Sequence, residues 1–426
     1  MREVAVTAPR YAWFDRAALA FFAAAALVGV FLRTKYVFPH FLAALKFADL
    51  LHGHSHTMFF GWVTLALCGA MYRELARLRG GPLAGERWLI IQWWGTVLAS
   101  VGALVSFSVS GYSPLSIVFA TVNMVLWYAA VAVIQRNTPE DRPVWAGFYR
   151  AAAFYLGLST LGTWLMTVLQ VTGLADTPLW STAPVYFYLS SFIDGWAVLG
   201  VTGLLYQMAA RLPGQPDSTA LAERQLRWQA LLTLPTYLHY LSGLDLPLPL
   251  RLAGAAATIL LLVPAMILAY NLRGLFHPLP EQAVRRAGGP IALTLLRWAV
   301  VYFVVKAAGE AISVLPGLDR LVYGAGGRQW VVVGLHATLF GLASLALMAE
   351  RARQVYSSSL LRLSAYGVLL GLALMLAFLM AAAAGPVAPV LAARYRAWFE
   401  GAWLASLLLW TAVVLFAAGA WRERET

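Results

Sequence analysis

Charge is scarce in this chain. Of its 426 residues only 12% are Asp, Glu, Lys or Arg, against 61% hydrophobic. A soluble domain carries about a quarter charged residues, so an ordinary water-soluble enzyme is excluded. Cysteine is nearly absent: Cys68 stands alone, which excludes an intrachain disulfide and a cysteine-based metal cluster. Lysine is limited to Lys35, Lys46 and Lys306, so the net charge of +12 rests on arginine. No A-x-A-like site follows the first apolar stretch, whose mouth carries Asp15 and Arg16. A cleaved signal peptide is therefore not expected.

What is abundant is apolar sequence in stretches near the length of a membrane-crossing helix. These stretches predict spans near 16–33, 48–73, 88–110, 114–135, 146–171, 184–210, 226–244, 249–272, 291–315, 329–350, 361–384 and 397–420. No intervening loop is long enough for a separate domain. The expectation is one all-α polytopic membrane domain over 1–426, with about 12 transmembrane helices.

The positive charge follows topology. With the N-terminus placed in the cytoplasm, 22 Lys and Arg fall on inner segments and 8 on outer ones, while Lys306 lies within a span. The positive-inside rule then puts both termini in the cytoplasm of a bacterial or archaeal cell, the chain being multi-pass in its plasma membrane. The expected partner of the basic surface is the lipid bilayer, not nucleic acid.

Polar side chains at membrane depth are costly and need a reason. Of seven histidines, His40 and His277 fall in loops. His52, His54, His56, His239 and His336 fall in or at spans. His54 and His336 each lie about seven residues below the outer end of a span, roughly 10 Å deep at 1.5 Å per residue. Two histidines at equal depth on different helices could ligate one metal or one heme iron from opposite faces, or could match by chance. On a helix, His52 and His56 are about 40° apart while His54 points nearly opposite. If His54 faces a heme, His52 and His56 form a separate pair suited to zinc or copper, or they are interfacial side chains bonded to water or backbone. Which of the three is an axial ligand stays open.

The second span reads HGHSHTMFFGWVTLALCGAMY (52–72) and the tenth GLHATLFGLASLALM (334–348). These resemble helices two and ten of the catalytic subunit of heme-copper oxidases and nitric oxide reductases. In that superfamily helix two gives one histidine to a low-spin heme. Helix ten carries H-x-H, its first histidine binding the active-site heme and its second the low-spin heme. The resemblance implies His54 and His336 as ligands of a heme b, with Gly334 where the other heme ligand would stand. DGWAVLGVTGLLY (194–206) looks like the sixth helix and LPTYLHYLSGLDLP (234–247) like the end of the seventh.

Against that family pattern there are departures. A copper ion would need a histidine near Ile193 or Asp194 and a pair at Thr236 and Tyr237, and none is there. His239 alone matches a third histidine seen in one branch as H-H-x-H-Y. Copper is thus a further cofactor the resemblance allows, with His239 and Asp194 as its nearest candidates. Asp194 is equally open as a proton relay or a partner of a heme imidazole. Lys306 and Glu310, one turn apart in span nine, form either a self-neutralising ion pair or a proton or quinol site. The expected function is a heme-binding membrane protein with an electron-transfer or nitric oxide- or oxygen-related redox role, served by a redox partner protein or quinol. The alternatives are a non-redox protein that handles heme or copper through HGHSH, and a structural subunit without cofactor.

Overall fold

The computed structural model describes residues 11–212, 219–324, 327–355, 358–385 and 388–421. Arg2, Arg10, Arg422 and Arg424, counted above as inner charges, lie outside them. Among the described residues there is no strand. Twelve long helices occur: α1 Ala12–Val37, α2 47–79, α3 Glu86–Ser110, α4 Pro114–Asn137, α5 Val144–Val171 and α6 Pro178–Ala209. They continue with α7 Ala220–Tyr240, α8 Leu248–Asn271, α9 Pro290–Ser313, α10 Arg328–Gln354, α11 Ser359–Ala384 and α12 Tyr395–Gly419. Each coincides with a span expected from the sequence. Ten are long and apolar enough to cross a membrane by length and composition; α2 and α7 are the other two. The protein is an all-α, multi-pass membrane protein.

Local chemistry sets the ends. Thr177, Thr219 and Ser358 cap their helices by accepting from the backbone N–H groups of Trp180, Ala222 and Leu361, which satisfies donors that the first turn leaves open. Gly80 ends α2 at φ +70, a left-handed position that glycine takes without steric cost. Between the ends, the outward faces stay apolar: Trp94, Leu98, Val101, Val105 and Val109 of α3 are all exposed. Such a face is stable in hydrocarbon, where every backbone polar group is met within the helix.

The helices group into two compact units, 1–137 with 347–426, and 138–346. In the first unit, small residues let α11 and α12 pack closely: a Cβ on Gly371 would lie 3.0 Å from backbone atoms of Leu409. Asp15, Arg73, Glu74, Glu350 and Arg351, all buried, form one ion-pair network with Arg353. Arg73 Nη1 donates to Asp15 Oδ2 at 2.7 Å, Arg351 reaches the same carboxylate at 3.5 Å, and Arg353 pairs with Glu350 and Glu74. Arg351 also donates to the Ala420 carbonyl at 2.7 Å, closing an orphan acceptor at the end of α12.

Three helices carry a one-turn widening with i→i+5 bonding, over Thr57–Thr64 in α2, Ser191–Val198 in α6 and Ala337–Ser344 in α10. In each, the fifth residue is glycine. A Cβ on Gly61 would lie 2.4 Å from the Phe21 ring, on Gly195 2.4 Å from the Tyr155 ring, and on Gly341 2.4 Å from the Tyr302 ring. The ring comes each time from the preceding long helix: α1, α5 or α9. The pairs α1–α2, α5–α6 and α9–α10 are thus repeats of one device, four helices apart. π-turns of this kind concentrate at functional sites. Here the one in α2 follows His56 and the one in α10 follows His336.

Candidate functional site

In the first unit, α2 presents its three histidines to two sides. His54 turns to α1: its Nδ1 lies 2.8 Å from the Ala25 carbonyl oxygen, and its Cε1 is 3.2 Å from where a Cβ on Gly29 would stand. A carbonyl only accepts, so Nδ1 carries the proton and Nε2 the lone pair. His52 and His56 turn to α3 and the loop after it. The His56 ring stacks on Phe107 at 4.0 Å and lies 6.3 Å from the His52 ring, while His52 meets Tyr112 at 4.6 Å. His56 Nδ1 donates to the His52 carbonyl at 2.9 Å, so its Nε2 likewise carries the lone pair. Asp49 approaches this side, its carboxylate 2.5 Å from where a Cβ on Gly111 would stand. Burial pushes the Tyr112 phenol, between α3 and α4, above its ordinary pKa.

In the second unit, His336 Nδ1 donates to the Val332 carbonyl at 2.7 Å, which again leaves the lone pair on Nε2. Counting from the repeated glycines, His336 and His56 both stand five residues before, and His54 and Gly334 seven before. His54 and His336 are therefore offset by two residues in register, about 3 Å along a helix axis.

His239 sits where α7 meets α8 so closely that a Cβ on Gly254 would lie 2.5 Å from its backbone nitrogen. Its Nε2 is 2.9 Å from Ser313 Oγ. The Ser313 hydroxyl donates to the Glu310 carbonyl at 2.7 Å, so His239 Nε2 is the donor and its lone pair is on Nδ1. That tautomer is the reverse of the one held by His54, His56 and His336.

Asp194 is joined to Lys306 and Glu310. Lys306 Nζ lies 2.9 Å from Asp194 Oδ1 and 2.7 Å from both Glu310 oxygens. The Tyr240 hydroxyl lies 2.6 Å from Asp194 Oδ2 and 3.0 Å from Glu310 Oε1. The sequence reading paired Lys306 with Glu310 alone; the ion pair is a triad with a phenol across it. Tyr240 stood unremarked beside His239. The signal for Asp194 was charge balance, since each charge at membrane depth demands a partner. Among the described residues, no group of three or more His, Cys, Asp or Glu could hold a metal ion.

Long apolar helices with histidines on α2 and α10 ahead of matching π-turns define a polytopic, all-α membrane protein. The family model of cytochrome c and quinol oxidase polypeptide I matches residues 11–417. The chain belongs to that family of heme-copper oxidase subunit I proteins. Among curated proteins, none matches it.

Proposed function

We propose that this chain is a membrane cytochrome that holds one low-spin heme b through His54 and His336. Family members bind heme and copper. The observation that carries the reading is the tautomer of both side chains, which His56 shares: each gives its Nδ1 proton to a backbone carbonyl, at 2.8 and 2.7 Å, and so carries its lone pair on Nε2, the atom an iron would take. Such a bond also orients the ring and raises its basicity. Gly29 supports the assignment on the α1 side, because a side chain there would press on the His54 ring. A heme so held supplies one-electron transfer and no open coordination position. The protein supplies the orientation of the rings, and a partner protein or a quinol supplies the electron.

The residues at the family's copper positions fit a copper ion poorly. Thr236 donates to the Thr233 carbonyl at 2.7 Å and Asp194 is engaged by an ammonium and a phenol, which leaves His239 as the single imidazole at these positions. Electron transfer is therefore favoured over reduction of oxygen or nitric oxide in this chain. The second reading, copper or heme handling, draws on His52 and His56, which share one face with Tyr112. Reduced-minus-oxidised spectra separate the two. His54→Ala and His336→Ala should each abolish the low-spin bands, while His40→Ala and His277→Ala leave them intact. A colourless wild-type protein carrying copper would favour the handling role.

A further inference from the structure

We infer that the cluster of Asp194, Glu310, Lys306 and Tyr240 is a proton-holding site in which Glu310 carries one exchangeable proton in the resting protein. The inference does not depend on the heme reading, and the outcome of the heme spectra leaves it untouched.

Two counts lead to it. The first is charge. Two carboxylates face one ammonium, and among the described residues no second cation pairs with either of them. The side chains of Lys306 and Asp194 are 7% and 6% exposed. With both acids ionised, the cluster would hold one excess negative charge inside the bundle, where an uncompensated charge is strongly disfavoured. One added positive charge restores balance. A metal cation is a poor candidate, because Lys306 Nζ already stands within 2.9 Å of both carboxylates, in the position such a cation would need. A proton requires no room.

The second count is of hydrogens. Tyr240 Oη makes two contacts of hydrogen-bond length, 2.6 Å to Asp194 and 3.0 Å to Glu310, with one phenolic hydrogen between them. If both acids are ionised, one of these is a bare contact between two oxygen atoms. If Glu310 is protonated, its O–H donates to Tyr240 Oη, and the phenol donates to Asp194 at the shorter distance. Every contact then has its hydrogen. The remaining neighbours do not alter the count. Tyr323 packs against Tyr240 with ring centroids 5.6 Å apart, and His239 gives its proton to Ser313. Asp319 is matched by Arg251 at 3.8 Å.

The site also has room for water. Asp194, Lys306, Glu310, Gln229 and Thr233 line a cavity of about 20 Å³, room for one water molecule. From there a polar row runs along α7. Gln225 Nε2 donates to Gln229 Oε1 at 3.2 Å, the Tyr206 hydroxyl donates to Gln225, and Asn271 Nδ2 donates to Tyr206 Oη at 2.8 Å. Tyr206 and Asn271 line a second cavity, of about 390 Å³, on the side expected to face the cytoplasm. Amide side chains do not themselves pass protons along. They form a buried polar edge from one cavity to the other, and along it we place the entry of water. Loading is then one proton transfer: a hydronium ion gives its proton to a Glu310 carboxylate oxygen and is left as water, and no electron moves.

Infrared spectroscopy on the full chain in lipid nanodiscs at pH 7 tests this. We expect a C=O band of a protonated carboxyl that shifts down in D₂O. It should vanish in Glu310→Gln and equally in Asp194→Asn, because either change leaves one carboxylate facing one ammonium. That one-to-one pair should also preserve the fold, checked by thermal unfolding. Tyr240→Phe, which keeps both acids, should retain the band at a higher frequency, since the carboxyl loses its acceptor. Gln229→Leu should retain the band but slow its deuterium exchange about tenfold, as a barrier raised by the loss of one polar link requires. No band in the wild type, or a band that survives in both acid variants, would overturn the site. An unchanged exchange rate in Gln229→Leu would overturn the route.

Discussion

Replacing Lys306 with methionine is the sharpest perturbation of the second unit. The ammonium makes three contacts at 2.7–2.9 Å with two carboxylates. Removing one member of a buried pair costs about 3–5 kcal/mol, because the partner is left buried and uncompensated. With Glu310 protonated, the charge left uncompensated is the Asp194 carboxylate, so a cost within that range is expected. The double variant Lys306→Met/Glu310→Gln would not recover, since Asp194, 6% exposed, remains alone. Only the triple variant that adds Asp194→Asn should return to within about 1–2 kcal/mol of wild type, as amides and a thioether can fill the site without charge. Equilibrium unfolding in mixed micelles, followed by circular dichroism, measures all three. Equal stability of the single and triple variants would refute the reasoning and assign each charge an independent role.

Other consequences concern packing and topology. Gly195→Ala places a Cβ 2.4 Å from the Tyr155 ring, so overpacking should cost about 1–3 kcal/mol, read by the same unfolding assay. Tyr155→Leu on that background should recover part of the loss. Reporter fusions after residues 80 and 325, the second outside the described residues, should report cytoplasm and exterior respectively. The opposite pattern would reverse the assignment of the two sides.

The helices could be read from the chain because hydrocarbon imposes one rule on all of them: a long apolar run with satisfied backbone groups. Ends moved by only a few residues, for instance from 226–244 to Ala220–Tyr240 in α7, where the Thr219 cap sets the start. Side-chain partnerships were less accessible. Asp194 and Lys306 are 112 positions apart in sequence, and their contact depends on how α6 and α9 pack. The repeat was present in plain sequence, as FGW at 60–62, DGW at 194–196 and FGL at 340–342, but its meaning rests on the aromatic ring that each glycine receives from the preceding helix. The histidine cluster was partly accessible. Helical geometry separates His54 from His52 and His56, whereas the Ala25 carbonyl that fixes the His54 tautomer comes from another helix.

The central claim is a single six-coordinate heme between His54 and His336 with no oxygen-reducing centre beside it. Pyridine-hemochrome and copper determination on the native protein, combined with carbon monoxide difference spectra, test it most directly. The account predicts one heme b per chain, sharp low-spin bands that carbon monoxide does not shift, and oxygen or nitric oxide consumption far below that of a heme-copper enzyme. A carbon monoxide-sensitive heme with stoichiometric copper and fast turnover would contradict it.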